Sequence, residues 1–304
     1  MKSKVLEIAE KEYMVLDGAM GTMLQEMGLT PEEVPEEWNL THKDKLVKVH
    51  LSYLNAGAQI IETNTFGGSY LKLKAKGKES LLKNINEEAV NAAKEAIDEF
   101  YEEHGRDDPR FIAGSIGPSG KIYNFEVKEE ELVKSYADQM EVLANRGIDL
   151  FLIETMMDLN EAKIAVNAAK KVAGLPVFAS MVFNKTESGE FRTLFGNTVK
   201  DSVRVLLDEG AEVVGVNCGL LADYIEVVKK MREMTDSPII LYPNAGIPRL
   251  LNNRTVFDQK PEEMIKLLDA SIEAGATIIG GCCGTTPEYI KMIAEKIKGK
   301  PRIK

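Results

Sequence analysis

Short runs of bulky and β-branched apolar residues recur along the chain, at 13–17, 59–63, 110–115, 149–154, 176–183, 212–217, 238–243 and 277–280. Most are almost unbroken. FLIE, VVGV and IILY show no polar alternation, the pattern of parallel strands covered on both faces. Between them apolar residues return at helical spacing, as where Leu132, Tyr136, Met140 and Leu143 form one stripe of an otherwise polar segment. NAGAQII, NRGIDLF, DEGAEVV and EAGATII repeat a further feature: Gly57, Gly147, Gly210 and Gly275 each end a helix just before an even-numbered strand. An open doubly wound sheet would use such glycines too. Eight strand and helix alternations with no strand left over predict instead an α/β fold closed into a single (β/α)₈ TIM barrel, with residues 1–304 as one domain. Residues 20–35 and 66–77, after the first and second strands, are expected to be extended βα loops at the C-terminal face.

Composition narrows the partners. A chain of 304 residues, 44% hydrophobic and 28% charged, can bury a full core, which excludes a peptide hormone or a disordered linker. Its net charge of −10 repels nucleic acid and anionic membrane surfaces unless bases cluster. The run Lys72, Lys74, Lys76 and Lys78 has no interleaved aromatics and reads as a solvated loop or helix start. No apolar run approaches the ~20 residues that span a bilayer, and the N-terminus lacks a signal peptide's apolar stretch. These features predict a cytoplasmic protein with neither nucleic-acid nor membrane partners.

In such a barrel chemistry gathers at the C-terminal strand ends. Asp17 and Gly18 end the first strand, Glu62, Thr63 and Asn64 the second, Ser115 the third, and Glu154 the fourth. Asn217 and Cys218 end the sixth, Asn244 follows the seventh, and Cys282 and Cys283 end the eighth. Every cysteine of the chain thus falls at one rim, on strands separated by a single neighbour, roughly two ~4.8 Å spacings. Their odd number fits no disulfide framework, and no CxxC spacing supports a redox pair. Buried cysteine can serve as a small hydrophobe, but three at one mouth point to zinc with an open fourth position. His42, His50 and His104 fall in or beside helices and offer no fourth ligand. Adjacent strand residues face opposite ways, so Gly280, Gly281 and Gly284 are expected to let the chain turn both Cys282 and Cys283 toward one ion.

Three anionic sulfurs leave zinc a weak Lewis acid for hydrolysis but a good host for a fourth thiolate. The chemistry expected is therefore alkylation of a substrate thiol whose pKa the metal lowers. Asp17 and Glu154 suit a substrate ammonium group, with an acid/base pair as the rival use. The main-chain N–H groups around Gly18, Ala19 and Met20 suit a substrate carboxylate, although a tight turn also explains DGAMG. A phosphate-binding barrel would place its anion site after strands seven and eight, where Asn244 and the cysteine pair stand instead.

LDGAMGT, IIETNTFGG, GSIGPSG, LFLIET, VGVNCG, YPNAG and GGCCGTTPE together resemble the homocysteine S-methyltransferase family. Within it, YPNAGIP and GGCCGTTPE are most similar to the homocysteine-binding module of cobalamin-dependent methionine synthase. The resemblance implies that Cys218, Cys282 and Cys283 bind zinc and that homocysteine sulfur takes the open position. It also implies that Asp17 and Glu154 hold the amino group, that Gly18 and Ala19 lie against the substrate, and that Asn244 fills or borders the vacant zinc position beforehand. The sequence carries no cobalamin-binding DxHxxG string. Methyl transfer to homocysteine, giving methionine, would then draw on methylcobalamin carried by a separate corrinoid domain or protein. Alternatives are a free-standing enzyme using S-methylmethionine or betaine, or a non-catalytic thiol-binding subunit.

Overall fold

The computed structural model describes residues 3–251 and 254–302. Its strands are β1 (Met14–Val15), β2 (Ile60–Glu62), β3 (Phe111–Ile116), β4 (Leu150–Met156), β5 (Val177–Met181), β6 (Asn184–Lys185), β7 (Phe191–Arg192), β8 (Val213–Asn217), β9 (Ile239–Tyr242), β10 (Arg249–Leu251), β11 (Arg254–Val256) and β12 (Ile278–Ile279). The helices are α1 (Lys4–Ala9), α2 (Met20–Glu26), α3 (Trp38–Thr41), α4 (Lys43–Asn55), α5 (Tyr70–Lys74), α6 (Leu82–His104), α7 (Glu129–Arg146), α8 (Leu159–Val172), α9 (Val199–Asp208), α10 (Leu221–Arg232), α11 (Pro261–Lys266), α12 (Leu268–Glu273) and α13 (Pro287–Ile297).

Eight parallel strands form one sheet in the order β1-β12-β9-β8-β5-β4-β3-β2. Gln59 N–H donates to Val15 O at 2.8 Å and Asp17 N–H to Ile60 O at 3.0 Å, which joins β2 to β1 and closes the ring as the apolar runs predict. Side chains alternate between two apolar regions, as pleating requires. Met14, Leu16, Ile60, Phe111, Ala113, Leu150, Leu152, Phe178, Val213 and Ile240 pack together inside the barrel. Val15, Ile61, Ile112, Phe151, Ile153, Val214 and Leu241 pack outward against the helices. Val5, Leu6 and Ala9 of α1 belong to the inner cluster.

The same alternation carries Glu62, Ser115, Glu154, Ser180, Asn217 and Tyr242 to the inward layer at the C-terminal end. Gly57, Gly147, Gly210 and Gly275 all have positive φ, between 87° and 110°, where a Cβ would be strained. The loops are richer than the sequence reading allowed. Residues 20–35 include α2, and residues 66–77 include α5, which takes up Lys72 and Lys74. After β5 and β9 come two hairpins, β6–β7 and β10–β11, that the reading did not foresee. Their two- and three-residue strands are too short to show a period.

Candidate active site

Main-chain hydrogen bonds align the three cysteine-bearing segments. Cys218 N–H donates to Tyr242 O at 3.3 Å, Cys282 N–H to Pro243 O at 2.7 Å, and Ala245 N–H to Cys283 O at 2.9 Å. The segment after β9 therefore lies between those after β8 and β12. The sulfurs of Cys218, Cys282 and Cys283 all fall within 4.8 Å of one another, and those of Cys282 and Cys283 are 3.9 Å apart. Two thiolates bound to one tetrahedral zinc at ~2.3 Å would be about 3.8 Å apart, so the Cys282–Cys283 pair already has the spacing for that ion, with Cys218 close beside it.

The backbone device behind this differs in part from the one expected. Gly284 has a φ of +82°, but Gly280 and Gly281 have no positive φ. Those two are glycines for want of room: a Cβ on Gly280 would lie 2.7 Å from Asp17 O, and one on Gly281 2.3 Å from Thr285 Oγ1. The left-handed turn on the other side is made by Cys218 itself, at φ 61°. Thr155, at φ 59°, does the same after Glu154, and Asn217 ties the two places together. An L-residue with a side chain pays strain there, which makes these two positions unusual.

A cavity of about 370 Å³ opens over the triad, within the size range of small-molecule sites. Cys218, Cys282, Cys283, Gly18, Ala19 and Glu154 line it. Asp17 and Asn244 stand just behind the lining. Asp17 is 1% exposed; its Oδ2 accepts the Glu62 N–H at 2.9 Å while Oδ1 has no partner. Asn244 hydrogen-bonds to Cys218, and its Oδ1 is likewise buried without a partner. An unpaired buried acceptor costs about 1–3 kcal/mol, so both are poised for a donor or cation. Ala19 N–H is already committed to Thr285 Oγ1 at 3.2 Å, which leaves the N–H groups of Gly18 and Met20 as the nearer donors for a carboxylate.

Ser115 Oγ donates to Glu154 Oε1. Burial raises Glu154 to about 7, against the lowering effect of its hydrogen bonds with Ser115 and Glu62. Burial also pushes Asp17 and Glu62 well above the usual carboxylate range. In the sequence Glu62 stands out only as a strand end. Two-residue alternation from the inward Ile60 is the signal that places it in the pocket. The histidines lie away from the triad: His50 is fully buried in α4, His104 closes α6, and His42 stacks on Trp38 at 4.3 Å.

A sequence model of the homocysteine S-methyltransferase family matches residues 14–297. Among solved structures, the chain is similar to the homocysteine methyltransferase MmuM from Escherichia coli. To the metallated form it is 24% identical with a TM-score of 0.79, over 94% of this chain and 96% of that one. To the oxidized form it is 23% identical with a TM-score of 0.80, over 97% and 98%. The carboxyl transferase domain of Rhizobium etli pyruvate carboxylase is a more distant likeness, 13% identical with a TM-score of 0.53, covering 94% of this chain and 48% of that one. Likenesses at these identities concern the barrel fold.

Proposed function

The chain belongs to the homocysteine S-methyltransferase family, and on that premise we propose that it methylates the sulfur of homocysteine to give methionine. The observation that carries the reading is the sulfur triad, spaced for one tetrahedral zinc and facing a cavity whose other end is acidic. Cys218, Cys282 and Cys283 would hold the metal, with Asn244 beside the position that the substrate sulfur takes. When bound, zinc lowers the pKa of an incoming thiol so that it is nucleophilic at neutral pH.

The chain's own groups do the rest. Asp17 Oδ1 and the Glu154 carboxylate receive the substrate ammonium, and the N–H groups of Gly18 and Met20 receive its carboxylate. This anchoring would aim the sulfur across the cavity toward the cysteine triad. A sulfur electron pair then forms the S–CH₃ bond as the methyl–donor bond breaks, and that bond's electrons remain with the donor. The thiol proton has already gone to solvent.

The donor we propose is methylcobalamin on a corrinoid domain or protein. Phe66, Phe125, Leu194, Phe195, Leu250 and Leu251 stand exposed on the βα side, whereas Met234 is the one large apolar residue among those described that is exposed at the opposite end. An apolar rim of this kind favours a macromolecular donor over a small sulfonium. The test supplies zinc-loaded protein with L-homocysteine and, separately, a methylated corrinoid protein, S-methylmethionine or betaine, and measures methionine. Turnover with the corrinoid protein alone is expected. Turnover with a small donor alone would overturn the cobalamin assignment, and homocysteine binding without turnover under any donor would make the chain a thiol-binding subunit.

A further inference from the structure

The side-chain amide of Asn217 has a fixed orientation. Its Oδ1 accepts the Thr155 N–H at 2.9 Å, and a main-chain N–H can only donate, so the oxygen and not the nitrogen stands at that point. Nδ2 then carries two hydrogens to place. One goes to Thr155 Oγ1 at 2.7 Å. Asn217 is fully buried, so solvent cannot take the second, and the remaining acceptor within reach among the described residues is Cys282 Sγ at 3.9 Å. An amide hydrogen aimed at sulfur is a weak contact while the sulfur is a thiol. It becomes a charge-assisted one when the sulfur is a thiolate on a metal.

We propose that Asn217 is a positioning residue for the metal centre: it donates its second amide hydrogen to the Cys282 sulfur, holding that thiolate toward the ion and taking up part of its charge. The role rests on the zinc reading and adds to it a residue outside the three ligands. Placement in the barrel suits it. Asn217 directly precedes Cys218 at the end of β8, whereas Cys282 follows β12, with β9 between the two strands. One side chain therefore joins two ligand-bearing segments across the inside of the ring. Three thiolates already outweigh the charge of one divalent ion, and a substrate thiolate adds to the excess in a site largely withdrawn from water. An N–H aimed at one of the sulfurs offsets part of that charge without a bond to the metal, as hydrogen bonds to ligand atoms do in other metal centres.

The test loads the isotope-labelled full chain with an NMR-active isotope of cadmium, which takes the place of zinc among thiolates. A hydrogen bond from N–H to a metal-bound sulfur transmits a scalar coupling to the metal nucleus, so one proton of the Asn217 amide is expected to correlate with cadmium. Asn217→Asp keeps the acceptor contacts with Thr155 N–H and Ser180 Oγ and loses both amide hydrogens. Thr155→Val removes the other partner of the same nitrogen and leaves Cys282 in place. In competition with a chelator, Asn217→Asp is expected to hold zinc about tenfold less tightly or worse, and Thr155→Val to stay within about threefold of the wild type and to keep the cadmium correlation. Should Asn217→Asp not fold, the wild-type correlation decides, with the amide proton assigned from its own residue.

A metal-loaded wild type without the amide correlation would overturn the proposal. Equal losses of zinc affinity in the Asp and Val variants would overturn it by reducing Asn217 to a support of the Thr155 loop, as would an Asp variant that holds zinc as tightly as the wild type or more so. Wild-type chain that takes up neither zinc nor cadmium would sink the metal reading itself, whereas metal held by the three sulfurs without the correlation sinks the role of Asn217 alone.

Discussion

Asn217 grips Thr155 with both ends of its amide: Oδ1 accepts the Thr155 N–H at 2.9 Å, and Nδ2 donates to Thr155 Oγ1 at 2.7 Å. The same Oδ1 accepts from Ser180 Oγ at 2.8 Å, and Ser180 in turn meets Tyr242 Oη at 2.7 Å. One fully buried side chain thus holds the two left-handed residues of the site, because Cys218 follows it directly. Asn217→Ala should cost about 2–4 kcal/mol, the sum expected for several stranded buried partners. It should also lower zinc retention by loosening Cys218. Urea unfolding and metal content after dialysis check the two effects, and loss of stability with unchanged zinc retention would separate Asn217 from the metal centre.

Metal loading should release protons. In the metal-free chain a hydrogen bond with Cys218 raises Cys283 to about 12 and lifts Cys282 as well, while the same contacts lower Cys218 to about 3. One thiolate is shared by two thiols. Zinc binding at pH 7 must then expel the protons of Cys282 and Cys283, so affinity falls as pH falls. Calorimetry in buffers of different ionisation enthalpy should find close to two protons per zinc. Cys218→Ala, Cys282→Ala and Cys283→Ala should each lose the metal yet keep their circular dichroism, because the strand core packs without it.

Stability should depend on pH through His50. Both ring nitrogens are buried without hydrogen-bond partners, and burial lowers the imidazole to about 4 from its ordinary value of about 6.5. Below pH 6.5 the unfolded chain takes up a proton that the folded chain refuses, so stability is lost as pH falls from about 6.5 to 4, by up to about 3 kcal/mol. The raised acids Asp17, Glu62 and Glu154 act oppositely, since the folded chain binds their protons first. The effect is therefore read as a difference. The change in unfolding free energy between pH 7.5 and 4.5 should be more favourable in His50→Leu than in the wild type, and identical slopes would refute the assignment.

Gly18 should tolerate no side chain. A Cβ there would lie 2.7 Å from Tyr53 Cε1 and 2.9 Å from Thr285 Oγ1. The single Tyr53 O–H is shared between Ala19 O at 2.9 Å and Thr285 O at 3.1 Å, stapling the first βα loop to the segment after the cysteine pair. Gly18→Ala should destabilise the chain by about 1–3 kcal/mol, as overpacking does. It should also weaken homocysteine binding, and thermal unfolding with titration calorimetry measures both.

The barrel was legible because its strands are buried on both sides, and FLIE or IILY can hardly be anything else in a chain so regularly interrupted by helices. The sulfur triad was legible as strand-end cysteines, since a barrel converts strand ends into one neighbourhood. What escaped was set by contacts distant in sequence. Nothing near Cys218 announces a left-handed φ, because the partners that hold the segment, Thr155 on Asn217 and the Tyr242 carbonyl on the Cys218 N–H, lie far along the chain. Glu62 was in plain view but ranked with its neighbours until the inward register of Ile60 set it apart. The hairpins after β5 and β9 are short local antiparallel pairings and leave no trace in hydrophobic period.

The sulfurs hang from β8 and β12 on one arc of the ring, and the acids from β1, β2 and β4 on another. The segments that carry the sulfurs are tied to one another by main-chain hydrogen bonds, so on the homocysteine reading the span between the arcs would gauge the aliphatic spacer joining sulfur to amino carbon. On that reading cysteine, one methylene short, is expected to bind more weakly.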